Sequence, residues 1–222
     1  EQMLHRTRAV TRGVERALVT ADLPFMSYQV EVSEAIRNAG RFVKEARAQA
    51  IKLEGASKLT LEIISRLVEM GVPVMGHLGF TPQSVHALGG FRVQGKTAQK
   101  ASQIIGEAKL LEEAGAFAVV LEMVPTAVAK AITAALKIPT IGIGAGPYCD
   151  GQILVTDDLL GKYTDFKPSF VRRYANMAEL GQNAIKDYIR DVQSGSYPAK
   201  EESFHLSEEE EKALSKLVGT VC

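Results

Sequence analysis

In the stretch QAIKLEG, Lys52 and Glu54 alternate with Ile51 and Leu53 before Gly55 closes the run. Successive side chains of a strand point to opposite faces, so a strand here sets a cation and an anion side by side on one face. Two readings fit. The pair could be a structural ion pair that satisfies itself in a barrel interior, because an unpartnered buried charge is costly. Alternatively, Lys52 holds a substrate anion and Glu54 helps hold a divalent cation, because perturbed charges gather at functional sites.

Other residues could join them. Asp22, in TADLPF, precedes a Pro that ends strand pairing. Alone, it reads as readily as a helix N-cap or an exposed turn Asp as it does as a site residue. Beside Glu54 it would give two carboxylates at neighbouring strand ends. Mg²⁺ keeps several waters and takes one or two such ligands. Glu122 stands among Val119, Val120, Leu121, Met123 and Val124. There it is either a salt-bridged core residue or a general base. His77, flanked by Gly76 and by Leu78-Gly79, is either a satisfied structural histidine or a pocket residue. The glycines of GIGAG, Gly142 to Gly146, are no dinucleotide fingerprint, because Pro147 and a further strand follow instead of a helix. No Ser–His–Asp arrangement and no zinc-ligand spacing is present.

Strands and helices must alternate to position these residues. Strands are predicted at 16–25, 49–55, 72–79, 116–124, 138–144 and 152–160. Helices are predicted at 3–12, 32–48, 59–70, 97–114, 126–136 and 171–192, with a long loop at 80–96. This rhythm predicts a parallel sheet. Asp22, Lys52, Glu54, His77, Glu122 and Asp157 all fall late in their predicted strands. Convergence of polar residues from several strand ends favours a barrel, where the carboxyl ends share one mouth. A doubly wound sheet gathers its site mainly at one switch point. Six strands are counted where a barrel of this type has eight, so two strands are expected upstream of Glu1. The tail from Tyr197 breaks the rhythm, and Ser207 with Glu210 has the spacing of a capping box.

Composition narrows the function. Of the 222 residues, 46% are hydrophobic, enough for a large core, and one domain is the default. Lys plus Arg balance Asp plus Glu at 26 each, and no basic stripe points to nucleic acid. No apolar run is long enough to span a bilayer. Two cysteines, Cys149 and Cys222, make no disulfide framework, so a reducing cytoplasm is expected.

ADLPF, KLEG, GHLGFTPQS, VVLEMVP, IGIGAG and DGQILV, in this order, resemble the ketopantoate hydroxymethyltransferase family. The resemblance covers about residues 5–205. It implies a TIM-type (β/α)8 barrel over 1–205, N-terminally incomplete here, with 206–222 as a C-terminal extension. It implies Asp22 as a Mg²⁺ ligand that also lies against the substrate, and Glu54 as the second Mg²⁺ ligand. It implies Lys52 as the residue that binds the oxo-acid carboxylate, and Glu122 as the proton acceptor. The implied reaction moves a one-carbon unit from the co-substrate 5,10-methylenetetrahydrofolate to 3-methyl-2-oxobutanoate through a Mg-stabilised enolate. The product, 2-dehydropantoate, feeds pantothenate and coenzyme A synthesis. Homo-oligomers are the family's habit. Two alternatives stay open, the second of them raised by the absence of the family's Gly-Asp-Ser motif from this sequence. One is another Mg–enolate lyase acting on an oxo acid. The other is an inactive barrel that serves as a binding or assembly partner.

Overall fold

The structure, a computed structural model, describes residues 1–219. Cys222 and the last residues of the expected extension lie outside the described residues. The chain divides into two compact units, Glu1–Leu154 and Val155–Cys222.

The first unit alternates as the sequence predicts: α1 (Gln2–Gly13), β1 (Thr20–Asp22), α2 (Val32–Ala46), β2 (Ala50–Glu54), α3 (Lys58–Glu69), β3 (Val74–Gly79), α4 (Ala98–Glu113), β4 (Ala118–Glu122), α5 (Thr126–Ala135), β5 (Thr140–Ile143) and β6 (Gly151–Gln152). Local signals set the helix starts. Ser57 and Thr97 accept the N–H of Thr60 and Lys100, capping α3 and α4. Gly71 and Gly115, both at positive φ, turn the chain after α3 and α4 and back into strands.

All six strands are parallel and lie in chain order, β1 to β6. This order has no reversal, so the sheet has no switch point of the doubly wound kind. Right-handed crossovers in one direction put the helices on one face, which is the winding of a barrel wall. Burial follows from this. Ile51, Leu53, Val74, Leu78, Val119 and Leu121 point to the helices and are at most 2% exposed, packed with Phe42, Ile63, Leu67, Leu111 and Ile132. Each such side chain contributes roughly 1.5–3 kcal/mol by burial. Among the described residues β1 and β6 are the two ends of the sheet, which does not close into a barrel.

Beyond β5 the sequence expectation fails in two places. The strand expected over 152–160 ends at Gln152, and Thr156–Leu159 forms a short helix, α6. Asp157 and Asp158 sit in its first turn, where acidic residues suit the helix dipole. Asp157 is therefore exposed, faces Lys162 at 3.7 Å, and does not belong to the row of strand ends. The long helix begins at Met177, not at 171: α7 spans Met177–Ser194. The N–H groups of Met177 and Ala178 donate to Leu160 and Gly161, so the first-turn donors are met by the preceding segment. The last helix, α8 (Glu208–Val218), starts where the capping signature predicts, with Ser207 Oγ accepting the Glu210 N–H. No helix among the described residues is long and apolar enough to cross a membrane.

Candidate active site

Parallel pairing keeps paired residues on one face. Asp22 pairs with Lys52, Glu54 with His77, and Gly79 with Glu122. All five polar residues therefore stand on the face away from the helices, near the carboxyl ends of β1 to β4. Lys52 Nζ lies 2.9 Å from Asp22 Oδ2 and 3.2 Å from His77 Nδ1. His77 Nδ1 is 3.9 Å from Glu54 Oε1, and His77 Nε2 is 3.1 Å from Glu122 Oε2. The sequence placed these residues in one row, and the structure joins them through His77, whose side chain is 4% exposed.

Donor counting assigns the histidine. An ammonium only donates, so Nδ1 of a neutral His77 accepts from Lys52 and Nε2 carries the proton. That N–H edge faces the Glu122 carboxylate. The contact is short but lacks hydrogen-bond direction, and Nε2 is left buried without a hydrogen bond. Asp22 Oδ1 is likewise buried and unpaired. Two orphaned polar atoms in one cluster suit a site that awaits a polar ligand.

Glu54 is held from two sides. Its carboxylate accepts the Gln83 N–H at 3.0 Å, and its own N–H donates to Tyr28 Oη at 3.2 Å. Burial pushes the Glu54 carboxyl above its usual range, against the opposing pull of the Gln83 N–H and Lys52. Burial likewise pushes the Tyr28 phenol up to about 12. Tyr28 and Gln83 were missed in the sequence, although Gln83 lies inside the motif GHLGFTPQS. Their roles depend on loop geometry, and the one available signal was the Thr-Pro turn start. The 80–96 loop opens with the 3-10 turn Pro82–Ser84 that aims the Gln83 N–H at Glu54.

Gly79 brings β3 against the end of β4. Its φ is +92°, and a Cβ there would stand 2.2 Å from the Glu122 carbonyl oxygen and 2.7 Å from Val124 Cγ1. Because the obstacle is backbone, Gly79→Ala is expected to cost at least ~1–3 kcal/mol, the usual penalty of forced overpacking. Urea denaturation checks this, and an unchanged midpoint would show that the strand end can yield.

Among the described residues no group of three or more His, Cys, Asp or Glu is arranged to hold a metal. The carboxylates at hand are the pair Asp22 and Glu54, a hard-oxygen set with one orphaned oxygen, which is the donor type that Mg²⁺ takes. A separate cavity of about 410 Å³, bordered by Gly55, Ser57, Gly79, Thr81, Lys100 and Ile104, opens beside the ends of β2 and β3. It does not take in the charged cluster, whose chemistry and not its hollow marks the site.

A family model for ketopantoate hydroxymethyltransferase matches residues 1–200. The chain belongs to the ketopantoate hydroxymethyltransferase family. It is 56% identical over 202 residues to the 3-methyl-2-oxobutanoate hydroxymethyltransferase of Syntrophus aciditrophicus, covering 91% of this chain and 74% of that relative. It is 54% identical over 208 residues to the protein of the same name from Clostridium kluyveri, covering 94% of this chain and 74% of that one. In shape it is similar to the crystal structure of phosphonopyruvate hydrolase, with a TM-score of 0.50 and 14% identity over 98% of this chain and 73% of that one. That likeness concerns the fold alone.

Proposed function

We propose that this protein transfers a hydroxymethyl group from 5,10-methylenetetrahydrofolate to 3-methyl-2-oxobutanoate, giving 2-dehydropantoate. The observation that carries the reading is the cluster at the strand ends: Lys52 between Asp22 and His77, with Glu54 and Glu122 on two sides of that histidine. Family membership agrees with it.

In this reading Lys52 binds the oxo-acid carboxylate. Asp22 and Glu54 would hold Mg²⁺, which when bound supplies Lewis-acid polarisation of the keto oxygen. Glu122 takes the proton from C3 of the oxo acid, with the buried His77 ring beside that carboxylate, Nε2 3.1 Å from Oε2. Water releases the one-carbon unit from the folate as formaldehyde while tetrahydrofolate leaves; the C3 carbon then bonds to that carbonyl carbon, and the resulting alkoxide takes up the proton that Glu122 removed. Packing on the helix-side face keeps β1 to β4 rigid, which positions reacting groups better than loops would. The winding of the sheet supports a complete (β/α)8 barrel as the working architecture.

The direct test is formation of 2-dehydropantoate from the oxo acid. It should require both 5,10-methylenetetrahydrofolate and a divalent cation. Product formed without the folate would overturn the transfer reading in favour of another oxo-acid chemistry. For the cation, Asp22→Ala and Glu54→Ala are each expected to weaken Mg²⁺ binding, measured by calorimetry, more than they lower melting temperature in metal-free buffer. Unchanged Mg²⁺ affinity in both would remove the pair from that role.

A further inference from the structure

Through one residue, the loop after β3 reaches back to the ends of two other strands. The Gln83 backbone N–H donates to Glu54 Oε2 at 3.0 Å. Its side-chain Nε2 donates to the Leu23 carbonyl at 2.8 Å, and its Oε1 accepts from Gln29 Nε2 at 2.9 Å. These partners fix which way the amide faces. Turning it over would set oxygen against the Leu23 carbonyl and NH₂ against the Gln29 NH₂.

The partners lie where the sheet itself gives out. Leu23 directly follows Asp22, is fully buried, and sends its N–H to the Lys52 carbonyl at 3.2 Å. The Leu23 carbonyl, the next group facing β2, accepts from the Gln83 side chain and not from the Glu54 N–H, which donates to Tyr28 Oη. Glu54, by contrast, stands at the far end of β2, where its strand partner is His77. Asp22 and Glu54 are like charges that repel at close range. Past the last ladder bond, the Gln83 contacts link the two strand ends, beside the Tyr28 Oη contact to the Glu54 N–H.

We propose that Gln83 is a positioning residue: it ties the carboxyl end of β1 to that of β2 and so fixes the spacing of Asp22 and Glu54. Its consequence for metal binding rests on reading those two carboxylates as the cation's ligands. The spacing itself does not.

The test therefore has two readouts on Gln83→Met, which keeps length and loses both side-chain hydrogen bonds. Hydrogen–deuterium exchange of the metal-free protein is expected to be roughly tenfold faster in the segments 23–29 and 80–85, the worth of one or two hydrogen bonds. Mn²⁺ affinity, followed by electron paramagnetic resonance, is expected to fall by a similar factor. Gln29→Leu, which removes the far end of the chain of amides, should move both readouts in the same direction by less, and it serves where Gln83→Met misfolds. Unchanged exchange in these segments overturns the proposal. So does faster exchange with wild-type Mn²⁺ affinity when Asp22→Asn and Glu54→Gln do weaken it, because the amide would then hold only the loop. If both carboxylate variants bind Mn²⁺ like the wild type, the metal reading fails and the exchange data alone decide the spacing role.

Discussion

Glu122→Gln is expected to lower kcat by roughly 10²–10⁴-fold, the usual worth of a general base, with little change in melting temperature. The substitution keeps the shape of the side chain and removes its ability to accept the C3 proton. The fold should tolerate it for two reasons. Glu122 is held by backbone pairing to Gly79 on β3 and Ile143 on β5, which the change leaves intact. His77 Nε2 stands 3.1 Å from its carboxylate, and an amide oxygen can face an N–H as a carboxylate oxygen does. The rival reading makes Glu122 a structural counter-charge in a cluster that already contains Lys52. Removing it would then leave cationic character less compensated, lowering stability while sparing the chemistry. Measuring kcat and thermal melting on one preparation separates the two. Exchange of the C3 proton into D₂O, without folate, isolates the step: the wild type should exchange it and the variant should not. A large loss of melting temperature with near-normal kcat would return Glu122 to a structural role.

Much of this cluster was legible because a parallel strand obeys a period of two. Alternation in AIKLE put Lys52 and Glu54 on one face, and the structure puts Ile51 and Leu53 on the other, at 0% exposure. Glu122 was visible as the one acid at the end of an apolar run. His77 was less so, because a lone histidine between Gly76 and Leu78 says nothing of its neighbours. Its central place follows from register with Glu54, which no single segment encodes. Tyr28 and Gln83 were hidden for a related reason: each reaches Glu54 from a loop, through contacts 26 and 29 residues apart in sequence. The misread strand over 152–160 shows the limit of apolar runs as a signal. QILVTDDLL carries β-branched residues, yet two adjacent acids favour a helix start, and strand pairing stops after Gln152.

Lys52→Met is expected to raise the KM for the oxo acid by roughly 10- to 100-fold, the range given by losing one hydrogen bond to a charged group. The KM for the folate should stay near its wild-type value. Lys52 is well placed for this asymmetry. Its side chain is 18% exposed, so the ammonium is neither buried beyond reach nor loose in solvent. It is anchored by Asp22 at 2.9 Å and His77 at 3.2 Å, which leaves one of its three N–H donors for a substrate carboxylate. Methionine keeps most of the length and packs against the same stem, so the loss falls on the charge. The structural alternative is that Lys52 exists to neutralise Asp22. In that case the variant would leave Asp22 without its cation on a side chain that already has one buried, unpaired oxygen. Melting temperature would then drop, and both Michaelis constants would move together or not at all. Steady-state kinetics with each substrate varied in turn, alongside melting curves, distinguish these outcomes. A selective rise in the oxo-acid constant at unchanged melting temperature makes the Lys–Glu alternation of β2 a substrate-anion site beside a cation site.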